Sequence, residues 1–121
     1  MINIVVIDDE TQILAMIENY FKRVDEFNVV CYEDSLKAVA YIQSNSVDLV
    51  LLDITMPQVD GLQILKKLRD KMPNLPVVMM TAYSTLDRVL ESHKLGAEHY
   101  LLKPFRSLND VEKKIRKVLN I

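Results

Sequence analysis

Four apolar runs in this chain each lead straight into a polar group able to do chemistry: Asp8 and Asp9 after 3–7, Asp53 after 47–52, Thr81 after 77–80, and Lys103 after 99–102. Three acids, a hydroxyl and an ammonium are the parts for handling a phosphoryl group with a hard divalent cation. Magnesium takes oxygen ligands in near-octahedral geometry, usually one or two carboxylates with waters and phosphate oxygens. Asp53 supplies one carboxylate and the acids at 8–10 another, while the metal relieves their mutual repulsion. A carboxylate also serves as a phosphoryl acceptor, giving an aspartyl phosphate. Catalysis is then mostly positioning and charge neutralisation, with Lys103 as a fixed cation and Thr81 donating to a phosphoryl oxygen. Each residue alone has a plainer reading. Asp53 could cap a turn, one acid of 8–10 could cap a helix, Thr81 could bond a loop carbonyl, and Lys103 could be a solvated charge. Their coincidence at matching run ends favours phosphoryl chemistry.

These groups meet only if the preceding runs are parallel strands that end on one edge. The run 47–52 is too short for a typical helix and too uniformly apolar for a half-exposed strand, which predicts a strand buried on both faces. Open α/β sheets bind ligands at the carboxyl edge of such strands. Strands are predicted over 3–7, 27–32, 47–53, 77–80 and 99–102. A helix over 11–24 turns Ile13, Leu14, Ile17, Tyr20 and Phe21 to one face. The next, capped by Asp34 or Ser35, presents Leu36, Val39, Ala40 and Ile42 and is broken at 44–46. A third follows the Asp60-Gly61 turn with Leu62, Leu65 and Leu68 on one face. A fourth, over 85–94, points Leu86, Val89 and Leu90 inward and ends at Gly96. The last, over 107–120, carries Leu108, Val111, Ile115, Val118 and Leu119. Five β–α units in strict alternation predict a doubly wound α/β domain: a five-stranded parallel sheet, helices on both faces, right-handed crossovers.

The 121 residues, 50% hydrophobic, suffice for one domain over 1–121 with a proper core. A net charge of -2 gives no global reason to expect nucleic acid or membrane as a partner. Cys31 has no partner for an internal disulfide, and with two scattered histidines it builds no metal cluster; it reads as a small core residue. No run reaches transmembrane length, and 2–7 is too short for a signal-peptide core and is followed by acids, so a soluble cytoplasmic protein is expected. Lys113, Lys114, Arg116 and Lys117 suit a helix C-terminus or, equally, an acidic partner.

Four motifs occur in order: Val-Val-Ile-Asp-Asp-Glu at 5–10, Leu-Leu-Asp-Ile-Thr-Met-Pro with Asp60-Gly61 at 51–61, Met-Thr-Ala at 80–82, and Gly-Ala-Glu-His-Tyr-Leu-Leu-Lys-Pro-Phe at 96–105. Together they resemble, over the whole chain, the receiver domain of response regulators in two-component phosphorelay signalling. The resemblance implies a flavodoxin-like sheet of strand order 2-1-3-4-5. It implies that Asp53 accepts a phosphoryl group from a phosphohistidine on a sensor histidine kinase or a histidine phosphotransfer protein. Asp9, Asp53 and the backbone carbonyl of Thr55 would bind Mg²⁺ directly, with Asp8 acting through water. Lys103 would pair with Asp53 before the reaction and with phosphoryl oxygens after it, its peptide bond to Pro104 being cis and aiming the ammonium at the acids. Thr81 and Tyr100 would form the switch: the hydroxyl moves toward the phosphoryl group and the ring rotates into the vacated space. Read from its position alone, Tyr100 is also a half-buried strand residue with its hydroxyl in water.

The face formed by the fourth helix, fifth strand and last helix would carry the signal to an output domain or protein, with no direct nucleic-acid contact. Such a domain catalyses only its own phosphorylation and slow dephosphorylation, and is not otherwise an enzyme. The chain stops after its last helix, so a stand-alone regulator and a domain of a longer chain are both expected forms. Gln58 departs from a frequent glycine, and His99 from a frequent acid. Thr55 and Tyr83 lie two residues beyond Asp53 and Thr81, at positions that in the family influence phosphoryl loss; if Tyr83 shields the site from water, Tyr83→Ala speeds dephosphorylation. Three other readings compete with this one. A haloacid-dehalogenase-like phosphatase needs a second aspartate where Thr55 stands. A flavodoxin-like cofactor protein needs a phosphate-cradling loop where Asp8-Asp9-Glu10 would repel phosphate. A receiver-like module that binds partners without being phosphorylated is disfavoured by the full set Asp8, Asp9, Asp53, Thr81 and Lys103.

Overall fold

A computed structural model describes residues 1–54, 56, 60–81 and 86–121, the side chain of Leu86 excepted. Within them, strands β1 (Ile2–Ile7), β2 (Phe27–Tyr32), β3 (Leu49–Asp53), β4 (Val77–Thr81) and β5 (His99–Leu102) alternate with helices α1 (Thr11–Phe21), α2 (Ser35–Ser44), α3 (Gly61–Lys71), α4 (Leu86–Lys94) and α5 (Leu108–Leu119). The strands form one parallel sheet in the order β2-β1-β3-β4-β5. This is the doubly wound, flavodoxin-like arrangement expected. Every residue of β3 and β4 is buried, because crossover helices cover both faces of the central strands.

Alternation along the strands splits the interior into two cores. Val5, Ile7, Val50, Leu52, Val77 and Met79 pack on one face with Ile42, Leu65 and Leu68. Ile4, Val6, Leu49, Leu51, Val78 and Met80 pack on the other with Ile17, Phe21, Val111 and Ile115. Successive side chains point to opposite faces, so an unbroken apolar run feeds both layers at once.

Three helices differ from expectation. α1 ends at Phe21, not at residue 24: Lys22 N–H still bonds Glu18 O at 3.1 Å, but Val24 N–H turns back onto Phe21 O. In α2, Val39 and Ile42 face inward as expected, but Leu36 is 60% exposed and Ala40 is exposed too, while Ser35 and Ala38 are inside in their place. Asp34 is the cap, its Oδ1 accepting from the N–H groups of Leu36 and Lys37. In α4, Leu90 is 57% exposed and Ser92 is fully buried in its stead.

Two glycines have separate reasons. Gly96 adopts φ 98° at the end of α4, a left-handed position that closes the helix. Gly61 opens α3 against the end of β3: a Cβ there would lie 2.1 Å from Asp53 O and 2.6 Å from Ile54 O. Its N–H bonds Ile54 O at 3.0 Å, and Asp60 Oδ1 caps α3 by accepting from Leu62 N–H. The Asp60-Gly61 pair therefore marks a close backbone approach beneath Asp53 as well as a turn.

Candidate functional site

The ladder geometry delivers the polar groups to one edge. Asp8 N–H bonds Tyr32 O at 3.1 Å, Ile54 N–H bonds Met80 O at 3.1 Å, and Lys103 N–H bonds Thr81 O at 2.7 Å. Each bond prolongs a strand pair by one residue, and so fixes the backbone beside Asp8, Asp53, Thr81 and Lys103. Asp8, Asp53 and Thr81 are buried, at 0%, 5% and 4% exposure.

The side chains then converge on Lys103. Its Nζ lies 2.7 Å from Asp8 Oδ2, 2.9 Å from Glu10 Oε1 and 3.3 Å from Asp53 Oδ2. The Lys103–Pro104 peptide is cis. Asp8 Oδ1 accepts from Glu10 N–H at 2.8 Å, which folds the chain after β1 back over the site. Burial raises the Asp8 carboxyl above the usual carboxylate range, against the opposing pull of Lys103 and the Glu10 N–H. Burial alone would lower the Lys103 ammonium, but its bonds to Asp8 and Glu10 and the charges of Asp8 and Asp53 outweigh burial and hold it above the ordinary lysine value. Lys103 is thus a permanent cation, set among three acids.

Asp8, Glu10 and Asp53 each offer an oxygen within 4.8 Å of the others. Asp8 Oδ2 is fully buried and pairs with the Lys103 ammonium at 2.7 Å. Three carboxylates brought this close make a hard-oxygen set that fits a divalent cation such as Mg²⁺. Asp9 is half-buried and does not join that group of three. Glu10, which the sequence offered only as part of an acid run, does join it, because the fold over Asp8 brings its longer side chain to Lys103. Thr55, Gln58 and Tyr83 lie outside the described residues.

Tyr100 does not leave its hydroxyl in water. Its oxygen lies 3.1 Å from Ser92 Oγ, 3.1 Å from Ala97 O and 3.4 Å from Val89 O. Ser92 Oγ in turn donates to Val89 O at 2.7 Å. Periodicity could not reveal Ser92, since a serine in a helix reads as surface. Cys31 packs at the margin of the second core, with its thiol pushed up to about 11 by burial and by Glu18. Arg116, from the basic stretch of α5, is spent on Glu26 and Glu112 at 2.8 Å each and stacks over the Phe27 ring.

Comparison with known proteins agrees with this edge. Residues 4–116 match the profile of the response regulator receiver domain. The regulatory protein VanRc of Enterococcus gallinarum is 38% identical over 109 residues, covering 89% of this chain and 46% of that protein. The sporulation initiation phosphotransferase F of Bacillus subtilis is 32% identical over 116 residues, covering 96% of this chain and 92% of that protein. A CheY-like receiver domain protein from Methanospirillum hungatei superposes with a TM-score of 0.90 at 27% identity, covering 99% of this chain and 94% of the other. The chain spans less than half the length of several curated relatives, 46% of VanRc and 22% of an NtrC regulator from Proteus hauseri. Among the described residues, no helix is long and apolar enough to cross a membrane. With a doubly wound sheet, acids and a lysine gathered at its carboxyl edge, and a profile match along nearly its whole length, this chain belongs to the response regulator receiver domain family.

Proposed function

We propose that residues 1–121 form one receiver domain acting as a phosphorylation-driven switch in two-component signalling, with Asp53 as the phosphoacceptor. The observation that carries this reading is the Lys103 ammonium held among Asp8, Glu10 and Asp53 at the carboxyl edge of the sheet. An Asp53 oxygen attacks the phosphorus of a phosphohistidine on a sensor kinase or phosphotransfer protein; the P–N bond breaks and the imidazole leaves. Lys103 then moves from the carboxylate to the phosphoryl oxygens, and the Thr81 hydroxyl donates to another of them. Asp9, Asp53 and the Thr55 carbonyl, with Asp8 through water, would hold Mg²⁺. Bound there, the ion supplies charge neutralisation for the phosphoryl oxygens. Fixed charges and dipoles perform most of the work, as is usual in phosphoryl transfer.

The response passes from Thr81 to Tyr100 and leaves through the α4–β5–α5 face. Leu90 and Leu102, 57% and 46% exposed, lie on that face and suit an apolar contact with an output domain or protein. The domain turns over nothing but its own phosphoryl group, works in the cytoplasm, and needs neither nucleic acid nor membrane. Incubation with Mg²⁺ and acetyl phosphate should give one acid-stable, base-labile phosphoryl adduct, lost in Asp53→Asn. No adduct, or one that persists in that variant, would overturn the reading.

A further inference from the structure

Tyr100 is tied to α4 by a hydrogen-bond chain that runs through Ser92. Each hydroxyl has a single proton. The chain is unbroken either as Tyr100 to Ser92 to Val89 O, or as Ser92 to Tyr100 to Ala97 O; both routes use the 3.1 Å contact between the two side-chain oxygens. Ser92 is fully buried, so its hydroxyl meets that of Tyr100 inside the protein. The ring packs at the same time against the first core. A second and separate tie, Arg88 to Asp60, joins the start of α4 to the cap of α3.

We infer that Ser92 is a positioning residue: its hydroxyl latches Tyr100 onto α4 and sets how readily the domain switches. This rests on the reading of Thr81 and Tyr100 as the switch. The arrangement at the site is the one expected before phosphoryl transfer, because Lys103 is on the carboxylates, 3.3 Å from Asp53. The latched ring therefore belongs to the unswitched form, and rotation must break the Ser92–Tyr100 bond. A ligand that favours the rotated form binds more tightly once the unswitched form is weakened, by the same free energy. One hydrogen bond is worth about a 2- to 10-fold change in such an equilibrium.

The test uses the full chain labelled with 3-fluorotyrosine, the Tyr100 resonance being assigned by its loss in Tyr100→Phe. Ser92→Ala should move that resonance, without any ligand, toward its beryllofluoride-bound position, and should tighten beryllofluoride binding ~2- to ~10-fold. In the Tyr100→Phe background, Ser92→Ala should leave beryllofluoride affinity unchanged, since the latch is already gone. Arg88→Ala, which loosens α4 at its other tie, should not move the Tyr100 resonance. An unmoved resonance in Ser92→Ala, weaker or equal binding, an undiminished effect in the Tyr100→Phe background, or full mimicry by Arg88→Ala would each overturn the latch. The underlying switch is checked separately by adding beryllofluoride to the unmutated chain. If Tyr100 does not respond there, the switch reading fails, whatever Ser92 does.

Discussion

Asp8 carries the main cost of building this edge. It is fully buried, and burial lifts its carboxyl above the ordinary range. An acid whose folded value is raised contributes stability at low pH that is lost as pH climbs through that value, so its ionised form weighs against folding at neutrality. Asp8→Asn, near-isosteric and neutral, should therefore raise stability to urea by on the order of 1 kcal/mol while slowing phosphorylation by acetyl phosphate. Lower stability in that variant would mean that the 2.7 Å pairing with Lys103 outweighs the burial of the charge. The strand-end acids were legible in the sequence because a buried strand that stops at a carboxylate is unusual. The part played by Glu10 was not, since only the fold of the chain over Asp8 shows which acid of the run reaches Lys103.

At the scale of elements, the strands could be read because apolar runs of this length have few alternatives, and their order came with the family resemblance, whereas helix faces could not always be read. In α2 the sequence reads the face one residue out at its start, because the apolar Leu36 is expected inward where the small Ser35 and Ala38 are the buried residues. Leu90 and Ser92 exchanged expected places in α4 because Ser92 finds partners for its hydroxyl inside, and hydrophobicity carries no signal of that. Gly61 is held by contact between α3 and β3, so Gly61→Ala should cost about 1–3 kcal/mol and, by pushing on the Asp53 carbonyl, slow phosphorylation as well. A full rate with intact stability would show that the backbone yields there cheaply. The docking of α5 onto α1 and the start of β2 should weaken in acid. Tyr20 donates to Glu112 at 2.6 Å, and this bond, then Arg116, holds the Glu112 carboxyl below its usual range. Stability from a depressed acid is present above its unfolded value, about 4.3, and is lost as pH falls through the lower folded one. Glu112→Gln should thus flatten the thermal-stability profile on its acid limb and lower the plateau near neutrality; an unchanged acid limb would assign no such weight to this contact.

For the whole molecule, a cation that binds only the folded chain must stabilise it by mass action. Mg²⁺ at ten times its dissociation constant should add about 1.4 kcal/mol, seen as a melting temperature that rises with its concentration. Asp53→Asn should lose most of that rise; an equal rise would move the ion away from this edge. The two cores, the sheet order and the converging edge serve one purpose in this reading: to hold Asp53 beside a fixed cation, with a β5 tyrosine bonded to α4 to report what happens there. The most direct measurement is chemical. After reaction with acetyl phosphate and Mg²⁺, borohydride reduces an aspartyl phosphate to homoserine, and peptide mass spectrometry locates the changed residue. Homoserine at position 53 and at no other aspartate is the predicted result. Its absence at 53, or its appearance at Asp8 or Asp9 instead, would contradict the assignment of Asp53 as the phosphoacceptor.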